Sequence, residues 1–141
     1  MWPQSFDKRL QSWQSLRHRC ADLHIQQTLS QINAWWFHTP WSAYYLHWDD
    51  IESWPDPWQL LSDNIYCPLA RGLGILYTIA MLDRLDLQDA CMIEHLSDNL
   101  VLVSGEKYIL NWDPDQVVNI SLGTSKPRRR VSQEQIKQKI R

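Results

Sequence analysis

Apolar positions recur at helical spacing from the start of the chain. Phe6, Leu10, Trp13 and Leu16 in "QSFDKRLQSWQSLRHR" lie on one stripe of a helix. "DLHIQQTLSQINAWWF" repeats the pattern with Ile25, Leu29, Ile32 and Trp36, and Asp22 is a candidate cap. Two helices or a single bent one satisfy this pattern equally. "HTPWSAYYLHWDDIESWPDPWQ" has no period and reads as an ordered, aromatic-packed loop, with Pro57 opening a short helical turn. A long apolar stretch then begins at Cys67 and predicts a helix ending near Leu82 or Asp83. Pro68 suits its first position and Cys67 its N-cap. Gly72 and Gly74 inside this helix predict close packing against another element.

Past "RLDLQD" the period falls to two. "ACMIEHL", "NLVLV", "KYILNW" and "QVVNISL" predict four short strands, with "SD", "SGE" and "DPD" as turns. The resulting class is α+β: N-terminal helices and a Cys-led central helix packed on a small antiparallel sheet. Residues 1–125 are expected to form a single domain and residues 126–141 a basic C-terminal tail in which "VSQEQIKQKIR" forms a short helix.

Length and composition agree with one soluble globular domain: 141 residues, 44% hydrophobic and 21% charged. Two features change the picture. Eight of the nine tryptophans precede residue 60, so bulk is concentrated in the first half. Charge is also uneven: residues 126–141 carry seven Lys/Arg and one Glu, whereas residues 1–125 carry seven basic and fifteen acidic residues. "KPRRR", with Arg128, Arg129 and Arg130, suits an acidic partner; without interleaved aromatics it is a weak nucleic-acid signal. Three cysteines, Cys20, Cys67 and Cys91, with no C-x-x-C spacing argue against a disulfide framework or zinc ribbon and for a reducing, cytoplasmic setting. The opening "MWPQSFDKRL" has no signal-peptide pattern, and no apolar run approaches the ~18 residues of a membrane span.

The chemistry centres on Cys67. A thiol at a helix start is where the backbone dipole stabilises a thiolate. A hydrolase would further need a base beside the sulfur and a group orienting that base. "SFDKRLQSW", "LSQINAWW" (29–36), "DIESWPDPWQLL" (50–61), "DNIYCPLARGLGI" (63–75), "DNLVLV" (98–103) and "KYILNWDPDQVV" (107–118) follow one another in a telling order. In order and spacing, over about residues 5–118, the chain resembles the bacterial transglutaminase-like cysteine proteinases of the papain-like superfamily. There a Phe–Trp helix, a "vN.w.N" segment and a Trp/Pro-rich stretch lead to "GDCEDYA", then "HxVL" and "LDN" on successive strands.

The resemblance implies that Cys67 stands at the nucleophile position, Asn99 at that of the histidine and Asn111 at that of the aspartate. The acidic pair after the family's cysteine is Pro68 and Leu69 here. Asn111 could orient an imidazole, but an amide at 99 does not accept a proton near neutral pH. His95, four residues earlier, is the substitute base to weigh; its proximity depends on whether residues 97–98 form a turn. The expectation is therefore a non-catalytic structural or protein-interaction protein on a transglutaminase-like scaffold, with a tailed-phage virion or assembly component suggested by analogy. The alternative is a cysteine hydrolase or acyltransferase using Cys67 with His95 and Asn111 or Asp113.

The remaining constellations are weaker. His18 and His24 bracket Cys20 at spacings that do not share a helix face, and "HWDDIES" lacks a calcium-loop pattern, so no metal is expected. "RGLGIL" is not a phosphate loop, and no cofactor is expected. The Trp-rich region reads first as core or loop packing, but tryptophan is also enriched at protein–protein hot spots. Trp36, Trp41, Trp48, Trp54 and Trp58, with the three arginines, are thus the expected partner-binding residues.

Overall fold

The computed structural model describes residues 2–43, 46–117 and 126–140. Helix α1 spans Phe6–Cys20, with Ser5 as N-cap, and α2 spans Ile25–Trp36. They are two helices joined by a short connection. The cap of α2 is His24, whose Nδ1 accepts from Gln26 N, and not Asp22. Among its described residues the aromatic segment is a loop with a short 3-10 turn at Trp48–Ser53. Helix α3 (Pro57–Asp63) opens on Pro57 with Asp56 as cap, a full element where a turn is expected.

Helix α4 (Pro68–Leu82) is the centre of the molecule. Its residues from Gly72 to Ala80 are all buried, and it contacts α1, α2, α3 and the sheet. Its glycines are where neighbours approach. A Cβ on Gly74 would come within 2.4 Å of the Trp36 ring, and one on Gly72 within 2.7 Å of Met92 Sδ. Side chains at these positions would hold α2 and the sheet away from the helix.

The sheet comprises β1 (Cys91–His95), β2 (Asp98–Val103), β3 (Tyr108–Leu110) and β4 (Arg129–Ser132), in the order β3-β2-β1-β4, all antiparallel. The fourth expected strand, "QVVNISL", lies outside the described residues from position 118 onward; Gln116 and Val117 are not in a strand. The fourth strand that is observed comes from the segment expected to be a tail. β4 pairs with β1, and α5 (Gln133–Lys137) follows through a capping box between Ser132 and Gln135. Val131 and Ile136 are fully buried. Residues 126–140 therefore complete the sheet, and the expected division at 125/126 does not separate a domain from an appendage.

Strand alternation divides the sheet into two faces. Met92, Val101, Val103, Leu110 and Val131 join the main core beneath α4. Cys91, Ile93, Leu100, Leu102 and Ile109 form a smaller apolar cluster on the opposite face.

Candidate functional site

Cys67 is the N-cap of α4, as its position before Pro68 predicts. Its Sγ accepts a long hydrogen bond from Ala70 N (3.5 Å), and it is 6% exposed. It lies at the floor of a cleft of about 330 Å³ whose walls include Trp48, His47, Asp49, Glu94, Asn99 and Arg129.

The sheet brings the resemblance positions together. Asn99 on β2 faces the cleft opposite Glu94 of β1. Its Oδ1 accepts from Trp48 Nε1 (2.8 Å). Asn111 follows β3 in a left-handed conformation (φ 68°), which asparagine tolerates better than most residues. Its Nδ2 donates to Asn99 O (2.6 Å) and to Pro68 O (2.9 Å), and its Oδ1 accepts from Arg71 Nε (2.6 Å). The Asn111 amide thus ties the first turn of α4 to β2. Behind it, Asn33 Oδ1 accepts from Asn111 N (2.9 Å) while Asn33 Nδ2 donates to Asp113 O (2.7 Å), which fastens α2 to the same corner. Asp113 thereby contributes its backbone to this network.

Arg71 supplies the cation beside Cys67. Its guanidinium lies over the Phe37 ring at 3.9 Å, and burial pushes its pKa down from the ordinary value, with the Cys67 sulfur acting in the opposite sense. Arg129 reaches the cleft from β4, paired with Asp49 (2.8 Å) and more loosely with Glu94 (3.8 Å).

His95 is not part of this arrangement. Leu96 and Ser97 form the turn between β1 and β2, which pairs His95 with Asp98 and directs its side chain to the other face of the sheet with Cys91 and Ile93. The imidazole that does share the cleft with Cys67 is His47, from the aromatic loop. In the sequence "HWDDIES" is weighed only as a calcium loop; the path of the loop, which sets residues 46–49 beside the start of α4, carries His47 to the cleft.

The expected aromatic surface is largely interior. Trp36 is 1% exposed, and its Nε1 donates to Thr78 Oγ1. Trp48 and Trp54 are also buried, with Nε1 groups bonded to Asn99 Oδ1 and His47 O. Burial removes these three from any partner surface. Trp41, at 74% exposure, and Trp58, at 37%, remain outside, joined by Trp112, which the sequence did not single out. Trp41 does not line the cleft itself; it forms a parallel bridge with Tyr66, the residue before Cys67, and Ala43, two residues further on, does line it.

The arginines do not form a single patch. Arg128 is exposed and its N donates to Glu94 O, Arg129 turns to the Cys67 cleft, and Arg130 turns to the opposite face. Alternation along β4 separates what "KPRRR" places side by side. No group of three or more His, Cys, Asp or Glu side chains that could hold a metal occurs among the described residues. Nor is any helix among them long and apolar enough to cross a membrane. Comparisons with protein-family models, curated proteins and solved structures found no match to this chain.

Proposed function

We propose that this chain is a non-catalytic protein on a transglutaminase-like layout, which works by binding another protein within an assembly such as a tailed-phage virion. One observation carries this reading. At the two positions where the resemblance calls for a base and an orienting acid stand amides held in structural hydrogen bonds. Asn99 Oδ1 is engaged by Trp48, and the Asn111 amide by Arg71, Pro68 and Asn99. Neither amide accepts a proton near neutral pH. The binding surface in this reading is centred on Trp41, which is bridged to Tyr66 just before Cys67 and offers a large exposed apolar side chain of the kind that anchors interfaces.

A second reading, a cysteine hydrolase or acyltransferase, is favoured by the presence of His47 and Asp49 in the cleft with Cys67. One experiment separates the two. The wild type, Cys67→Ser and His47→Gln are assayed against a panel of peptide, amide and ester substrates. The non-catalytic reading expects turnover indistinguishable among the three proteins. Turnover lost in both variants would overturn it in favour of the enzyme.

A further inference from the structure

A second cleft lies on the sheet face that the Cys67 site does not use. Cys91, Ile93 and His95 of β1, Leu102 of β2 and Arg130 of β4 line it together with Pro127, enclosing about 300 Å³. That volume suits a small organic molecule. Its floor is apolar, with Ile93 at 1% and Leu102 at 8% exposure.

One polar group on this floor lacks a partner among the described residues. His95 is 8% exposed, and its Nε2 is buried without a hydrogen bond. Buried polar atoms are almost always paired, so an unpaired one facing a cleft is a group that a ligand can satisfy. Arg130 brings a cation to the same cleft. It makes no ion pair among the described residues, whereas its neighbour Arg129 is paired with Asp49 and Glu94. Arg130 stands opposite Ile93, two residues from His95 along β1 and therefore about 7 Å away along the strand, within reach of a long side chain.

Two carboxylates also border the cleft, and both keep their charge. Asp89, which accepts from the amides of Ser104 (3.0 Å) and Gly105 (2.8 Å), and the exposed Glu106 of the β2–β3 turn lie at the Cys91 end of β1, four residues or about 13 Å along the strand from His95, so an anion is favoured only at the His95 end.

We propose that this cleft binds a small amphipathic carboxylate. The carboxylate accepts from the Arg130 guanidinium and from the Nε2–H tautomer of His95, and the apolar body lies over Ile93 and Leu102. An ionised acceptor bonded to arginine gives the stronger class of hydrogen bond, while the apolar floor selects for a hydrocarbon or aryl body.

The test titrates butyrate, hexanoate and phenylacetate into the full chain while the imidazole nitrogen resonances are followed, with His95 assigned through His95→Gln. The expected result is a saturable shift of His95 Nε2 with hexanoate or phenylacetate and none with phenylacetamide. Arg130→Gln removes an exposed charge without disturbing the strand and should weaken binding roughly tenfold or more. No saturable His95 shift with any acid, an equal response to acid and amide, or unchanged affinity in Arg130→Gln would each overturn the proposal.

Discussion

Thr78 holds two tryptophans with a single oxygen. Its Oγ1 accepts from Trp13 Nε1 and Trp36 Nε1, each at 2.9 Å, and donates to Gly74 O one turn earlier. All three residues are essentially inaccessible. Replacing Thr78 by valine keeps the shape and leaves two indole N–H groups buried without an acceptor. Thr78→Val should therefore cost about 2–4 kcal/mol in urea unfolding, and Thr78→Ser considerably less. Asn111 is a comparable case at the candidate site. Asn111→Asp would install the acid that the resemblance calls for, but would face a carboxylate oxygen with the carbonyls of Pro68 and Asn99, which now accept from the amide. The expected outcome is a loss of about 2–4 kcal/mol, read from the same denaturation experiment, with no gain of hydrolysis.

Among the elements, β4 and α5 change the account of the chain most. β1 is an inner strand only because β4 covers it, and Ile136 of α5 is part of the main core. Gln133 Nε2 donates to Leu87 O (2.6 Å) and Gln88 O (3.0 Å), which ties this segment to the connection before the sheet. Ending the chain at residue 125 would leave β1 as an open edge over an uncovered apolar core. Such edges pair with other chains. The truncated protein is expected to lose its cooperative thermal transition and to elute as aggregate in size-exclusion chromatography, whereas loss of a solvated tail would leave both unchanged.

At the scale of the whole molecule, tryptophan supplies structure before surface. Trp2, Trp35, Trp36 and Tyr66 pack in one cluster, edge to face at ring-centroid distances of 4.7 to 6.0 Å except for the tilted Trp2–Trp36 pair at 6.2 Å. Burial of this kind sets the response to pH. It pushes the Tyr77 phenol well up from its ordinary 10.0, with the Asp56 carboxylate adding to the shift, and it pushes the Cys20 and Cys91 thiols up from 9.0. The folded chain then holds protons that the unfolded chain has released, so stability is fully present below the ordinary values and falls as pH rises beyond them. Urea midpoints should stay level from neutral pH to about 9 and decline above it. Tyr77→Phe should flatten the decline, while lowering stability at neutral pH through loss of the hydrogen bond to Pro55 O.

The sequence by itself determined the elements that short-range physics controls. The apolar stripes of α1 and α2, the Cys67–Pro68 opening of α4 and the alternation of β1 to β3 depend on residues two to four positions apart. Pairing partners and the choice of face were decided only in three dimensions. Val131 reads as part of a basic tail until β4 meets β1; Trp36, Trp48 and Trp54, expected at a partner surface, are interior because Thr78, Asn99 and the His47 carbonyl take their N–H groups. His95 was separated from Cys67 by strand register, and His47 was brought to it by the course of a loop without period. Asn99 and Asn111 could be aligned with a base and an acid from their order along the chain. That their amides are spent on Trp48, Arg71 and two backbone carbonyls follows from contacts 12 to 51 residues apart in sequence, which no local pattern encodes.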